Sequence, residues 1–201
     1  METPEFKTVG IVGAGAMGRG IAQIAAQAGS KVLLFDTQAD AVAKARESVA
    51  AQWDKLVEKG RIDAAAATAQ KERLQPAATL ADLAPCDLIV EAIVERLDVK
   101  KGLFAELEGI VQTTAVLATN TSSLSVTAIA AGLKRPQQFA GFHFFNPVPL
   151  MKVVECIAGL KTDPAVCQRL AGGAVDKIGR AARREGAQVS VVAVALKRRG
   201  S

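Results

Sequence analysis

The sequence predicts an α/β fold: a doubly wound, mostly parallel sheet with a helical hairpin inserted after the second strand. Short apolar runs alternate with helical patterns along most of the chain, and continuously apolar strands belong to sheets covered on both faces. The first such run, Val9-Gly10-Ile11-Val12, passes through Gly13-Ala14-Gly15-Ala16-Met17-Gly18 directly into a helical stretch at 21–27. After the second strand, two helical segments follow one another with no strand between them, at 38–58 and 63–73. With 201 residues, 50% of them apolar, the chain is long enough to bury a sizeable core in one domain.

The elements follow in order. The first helix ends near Gly29, and Lys31–Phe35 reads as a second buried strand with Asp36 at its tip. Lys59-Gly60 stops the 38–58 helix, and the Ala-rich 63–73 helix completes a hairpin that ends at Pro76. Residues 87–92 give the next central strand, 98–111 a helix, and 115–119 a strand that runs into Asn120-Thr121-Ser122-Ser123 and a short helix at 125–131. Two more strands are expected at 139–144 and 151–156, and a last helix at 164–177. Residues 1–179 therefore read as one domain and 180–201 as an atypical basic tail.

The formal net charge of +5 is mostly a property of that tail, where Arg180, Arg183, Arg184, Lys197, Arg198 and Arg199 crowd together. No aromatic-rich basic face accompanies them, so nucleic acid is not an expected partner. No apolar run is long enough to span a bilayer, and no signal peptide precedes the first strand, so the expected setting is cytoplasmic and away from membranes. Cys86, Cys156 and Cys167 form neither a CxxC pair nor a metal-ligand pattern, which points to reduced thiols and no metal.

The glycine-rich turn carries the first chemistry. Glycines at this spacing, closing a strand and opening a helix, let backbone N–H groups approach a pyrophosphate resting on the helix N-terminus. Asp36 lies eighteen positions after Gly18, at the tip of the second strand, where a carboxylate accepts hydrogen bonds from the adenosine ribose of NAD and repels the 2′-phosphate of NADP. Gly13, Gly15, Ala16, Met17, Gly18 and Asp36 thus predict an NAD site on a Rossmann-type sheet. A plain tight turn and a solvated aspartate are the alternative.

The second chemistry lies in Gly141-Phe142-His143-Phe144-Phe145-Asn146-Pro147, which holds the single histidine of the sequence. An imidazole at a strand end of such a sheet is a candidate general base. Twelve residues on, Glu155 interrupts an apolar segment; held against His143, it would fix the tautomer and raise the basicity of the ring. A histidine on a core edge and a glutamate facing solvent remain the alternative. Pro147 and Pro149 are expected to fix the chain reversal that follows.

Gly13-Ala14-Gly15-Ala16-Met17-Gly18, Asn120-Thr121-Ser122-Ser123 and His143-Phe144-Phe145-Asn146-Pro147-Val148-Pro149-Leu150-Met151-Lys152, in that order, resemble the NAD-binding domain of the L-3-hydroxyacyl-CoA dehydrogenase family, 3-hydroxybutyryl-CoA dehydrogenases included. The resemblance covers about Thr8 to Gly179. It implies NAD-dependent oxidation of an L-3-hydroxyacyl-CoA to the 3-oxoacyl-CoA, with His143 as base, Glu155 orienting it and Ser122 bonding the reacting oxygen. It also implies that Glu95, Lys100, Ser122 and Asn146 lie near the nicotinamide half of the cofactor, and that Ser48 and Lys55 contact coenzyme A. On the residues alone, Asn120–Ser123 could cap the next helix, Glu95 and Lys100 could be a surface pair, and Ser48 and Lys55 could mark a solvated helix face. Family members continue into a helical, dimer-forming domain after an asparagine-bearing motif. Ala193 stands near the place of that asparagine, so the helical domain is expected to be absent; the alternative function is a truncated NAD-binding remnant with little or no turnover.

Overall fold

The computed structural model describes residues 5–38, 40–151 and 153–172, and the backbone of 190–195. Its strands are β1 (Thr8–Val12), β2 (Lys31–Phe35), β3 (Leu74–Pro76), β4 (Leu88–Glu91), β5 (Val116–Thr119), β6 (Phe139–Phe144), β7 (Val153–Ala158) and β8 (Ser190–Ala195). The helices are α1 (Ala16–Gln27), α2 (Ala41–Glu58), α3 (Ala64–Arg73), α4 (Leu97–Ile110), α5 (Val126–Ala130) and a helix covering 164–172.

These form one sheet in the order β3-β2-β1-β4-β5-β6-β7-β8. Pairing is parallel from β3 to β6, antiparallel between β6 and β7, and parallel again between β7 and β8. The chain winds outward from β1 through β2 to β3, then returns to β4 on the other side of β1 and winds outward again. The reversal between β1 and β4 opens a crevice at the carboxyl ends of the strands, the general ligand position of such sheets.

Two apolar layers hold the sheet. One joins Val9, Val32 and Leu74 to Ile21 of α1, Trp53 of α2, Ala67 of α3 and Leu170 of the 164–172 helix. The other joins Ile89, Leu117 and Phe139 to Leu83, Phe104, Leu107 and Ile129, with the Phe104 and Phe139 rings meeting edge to face at 4.7 Å. Trp53 is wholly buried; at about 25 cal/mol per Å², hiding a ring of that size contributes about 4 kcal/mol. The helical hairpin is fixed at its bend by Gly60, whose φ is +65°, and by Asp63, whose side chain accepts the Ala66 N–H at 2.6 Å.

The expected elements are present, with differences at their ends. The helix expected from 38 begins at Ala41, after Asp40. The strand expected at 151–156 runs Val153–Ala158, because the Pro147 carbonyl accepts the N–H groups of Leu150 and Met151 and keeps the turn closed through 151. Leu74–Pro76, read from sequence as the end of the hairpin, adds a short edge strand, where a proline without an N–H is tolerated. Within the segment read as a tail, Ser190–Ala195 pairs along β7 from Val153 to Ala158. Arg180, Arg183, Arg184, Lys197, Arg198 and Arg199, Lys152, and 173–177 of the expected last helix lie outside the described residues.

Among the described residues no helix is long and apolar enough to cross a membrane, and no group of three His, Cys, Asp or Glu could hold a metal. Cys86, Cys156 and Cys167 are free thiols, and burial pushes the Cys86 thiol up to about 12.

Candidate active site

Two glycines of the first turn have a steric reason. Gly13 holds φ at +106° and donates its N–H to the Phe35 carbonyl at 2.8 Å; a Cβ there would lie 2.5 Å from the Ala92 carbonyl oxygen. At Gly18 a Cβ would lie 1.8 Å from the Gly13 carbonyl oxygen, so α1 can start this close to the turn only with glycine. Above Gly15 the space is open, Gly15 and Ala16 are exposed, and Met17 packs half-buried against the core. No side chain caps α1 and no acidic residue sits in its first turn, which suits this N-terminus to an anion.

Asp36 closes the same turn. Its Oδ2 accepts the Ala14 N–H at 2.7 Å and its Oδ1 the Gln38 N–H at 2.9 Å. Each oxygen keeps a further lone pair, so the carboxylate is fixed in place and still able to accept from hydroxyls. An open backbone cradle beside an anchored carboxylate fits the pyrophosphate and ribose of a dinucleotide.

Beyond β1 the crevice is built from charged side chains. Glu91, the last residue of β4, has no exposed surface; it accepts the Thr119 hydroxyl and the Ile93 N–H at 2.7 Å each, and Lys100 Nζ at 2.5 Å. Lys100 also stands 3.3 Å from Glu95 Oε2. Glu95 Oε1 in turn accepts the Thr121 hydroxyl, the Ser122 N–H at 3.2 Å and the Ser123 N–H at 3.3 Å. Burial opposes ionisation of Glu95, but the Thr121 hydroxyl and the Lys100 ammonium outweigh it and hold its pKa at about 2.

This arrangement corrects two of the sequence alternatives. Lys100 is 1% exposed, so it is no surface partner of Glu95, and its tighter partner is Glu91. The cap of α5 is Ser125, whose hydroxyl accepts the Ala128 N–H at 3.2 Å, whereas the residues before it tie the strand ends together. Asn120 Oδ1 accepts the Phe144 N–H at 2.8 Å, joining β5 to β6. Sequence reasoning passed over Glu91 as an ordinary strand residue; a carboxylate ending an otherwise apolar strand was the available signal.

His143 and Glu155 stand directly opposite each other across the antiparallel β6–β7 pair. Nδ1 of His143 lies 2.8 Å from Glu155 Oε2, and the ring leans on Phe145 with centroids 4.6 Å apart. An Nδ1–H donated to the carboxylate leaves Nε2 as the basic nitrogen. The side chains are 17% and 33% exposed, open enough to meet a ligand. Ser122 and Asn146 are exposed on the loops that follow β5 and β6.

Gly20, also missed in the sequence, ties the two halves together: a Cβ there would lie 2.7 Å from Val148 Cβ, so α1 meets the loop after β6 only through glycine. Ser48 and Lys55 do not join this cluster. They stand on α2, which packs against α1, α3 and β3, with Ser48 half-buried and Lys55 exposed.

Comparison with known proteins gives the site its family. Residues 8–183 match the model for the NAD-binding domain of 3-hydroxyacyl-CoA dehydrogenase. The chain belongs to that family. NAD is accordingly the cofactor of this domain. The domain is 44% identical over 164 residues to 3-hydroxyadipyl-CoA dehydrogenase of Escherichia coli, covering 82% of this chain and 34% of that protein. It is 43% identical over 160 residues to 3-hydroxybutyryl-CoA dehydrogenase of Bradyrhizobium diazoefficiens, covering 80% and 55%. The crystal structure of 3-hydroxybutyryl-CoA dehydrogenase from Escherichia coli superposes with a TM-score of 0.86 at 40% identity, covering 94% of this chain and 38% of that one. The NAD-binding domain thus spans between about a third and just over half of the lengths of these relatives.

Proposed function

We propose that this domain supplies the cofactor-binding and proton-transfer half of an L-3-hydroxyacyl-CoA dehydrogenase, which oxidises the 3-hydroxyl of an acyl-CoA to a 3-oxo group. The observation that carries this reading is the His143–Glu155 contact of 2.8 Å at the mouth of a dinucleotide crevice. Gly13, Gly15, Ala16, Met17 and Gly18 would hold the pyrophosphate, Asp36 the adenosine ribose, and Glu95, Lys100, Ser122 and Asn146 the nicotinamide half. Bound there, NAD supplies a hydride acceptor. His143 Nε2 takes the proton of the substrate 3-hydroxyl, and Glu155 stabilises the imidazolium that results. The Ser122 hydroxyl hydrogen-bonds the reacting oxygen. Ser48 and the exposed Lys55 ammonium, seven residues apart on one face of α2, would meet coenzyme A, whose phosphates favour a cation. The setting proposed is the cytoplasm, which keeps the free thiols reduced.

The test is NADH formation by the purified chain with L-3-hydroxybutyryl-CoA, beside a His143→Ala control and an NAD titration. Turnover lost in the control, with NAD binding retained, is the expected result. NAD binding without turnover in the parent chain would make it a cofactor-binding remnant, and absence of both would overturn the reading.

A further inference from the structure

The Glu91–Lys100–Glu95 cluster does more than brace the Thr121–Ser123 segment, because its charges do not balance. Two carboxylates share one ammonium, and among the described residues the other groups bonded to them are neutral: hydroxyls of Thr119, Thr121 and Ser123, and backbone N–H groups. The adjacent Arg96 is engaged by Asp98 at 2.6 Å. Glu91 and Lys100 are sealed from solvent, so water screens the excess charge only from the side of Glu95, whose side chain is 38% exposed.

The position of this excess follows from the sheet. Asp36 on β2 marks the adenosine end of a dinucleotide, and the N-terminus of α1 after β1 marks its pyrophosphate. The second nucleoside therefore falls past β1, over the ends of β4, β5 and β6, where Glu95, Thr121 and His143 stand. The nicotinamide ring is cationic in NAD and neutral in NADH, so a nearby negative charge favours the first.

We propose that the Glu91–Lys100–Glu95 cluster selects the oxidised, cationic cofactor over the reduced one by placing one uncompensated carboxylate charge beneath the nicotinamide half of the crevice. This rests on the cofactor placement given under Proposed function. Its consequence in turnover is easier release of NADH, since reduction removes the charge that the cluster attracts.

Calorimetric titrations with NAD, NADH and ADP-ribose on the parent chain, Glu91→Gln and Glu95→Gln provide the test. Each substitution neutralises the excess charge, and the preference for NAD over NADH is expected to fall by about fivefold, the effect of one unit charge near a partly screened site. ADP-ribose, which lacks the nicotinamide, is expected to bind all three proteins alike. If NAD and NADH weaken by the same factor, the cluster is only a scaffold and the proposal fails. If Glu91→Gln does not fold, the more exposed Glu95→Gln carries the same test. A parent chain that binds ADP-ribose but discriminates neither nicotinamide form also overturns the proposal, while one that binds none of the three overturns the cofactor reading itself.

Discussion

The two halves of the crevice are made of different materials. On the β1–β2 side the site is backbone: Gly13, Gly15 and Gly18 shape a turn with no room for a Cβ at two of its positions, and Asp36 pins it through the Ala14 N–H. On the β4–β7 side it is charge, in two groups joined through their side chains: Glu91, Lys100 and Glu95 in one, His143 and Glu155 in the other, drawn from three strands, a loop and a helix. Substitution at Gly13 or Gly18 in the first half fails by steric conflict, independently of pH and salt. The second fails by stranding charge, and responds to both.

Lys100→Met sharpens that contrast most. It removes the ammonium between two carboxylates and leaves Glu91, with 0% exposure, facing neutral donors alone among the described residues. Breaking a buried pair from one side is expected to cost about 4 kcal/mol in denaturant unfolding. Adding Glu91→Gln to the same chain should return most of it. Without that recovery, the loss would reflect packing around Lys100 and the contrast would break. Gly18→Ala is the counterpart on the backbone side, where a methyl would meet the Gly13 carbonyl oxygen at 1.8 Å. About 3 kcal/mol of stability and at least about a hundredfold in NAD affinity should be lost, equally at low and high salt.

The contrast also explains what the sequence revealed. The glycine turn and Asp36 were legible because the turn, the start of α1 and the carboxylate all lie within one strand-helix-strand unit, at spacings fixed by chain geometry; only the Ala92 carbonyl that crowds Gly13 comes from outside it. The His143–Glu155 pair was half-legible: residue type and a twelve-residue spacing suggested it, but only the β6–β7 register sets the two side chains opposite each other. The Glu91–Lys100 bond was not legible. At nine residues apart, it forms because the loop before α4 folds Lys100 back under the end of β4, and the same spacing on a continuous helix would have put the two on different faces. Among the strands, Leu74–Pro76 escaped notice because three residues with a proline carry no periodicity.

Glu155→Gln probes the catalytic side of the charged half. The amide keeps an oxygen to accept from Nδ1 but loses the charge that stabilises an imidazolium, so under the proposed function turnover should fall about a hundredfold. NAD affinity in a direct titration should change little. Equal losses in both would show that Glu155 shapes the cofactor site instead.

The smallest effect expected is the response of Glu95 to acid. Its pKa is lowered from 4.5 to about 2 in the folded chain, burial being outweighed by the Thr121 hydroxyl and Lys100. A carboxyl that binds protons less tightly when folded contributes its stability fully above the unfolded value and loses it as pH falls through the folded one. The window is therefore about pH 4.5 down to 2. Because 38% of the side chain is exposed, solvent screening holds the contribution to about 1 kcal/mol. Denaturant midpoints of the parent chain and Glu95→Gln should differ at pH 7 and converge toward pH 2. A constant offset would mean that the amide's lost hydrogen bonds to Thr121, Ser122 and Ser123 carry the whole effect, making the segment around Ser122 a steric construction like the glycine turn.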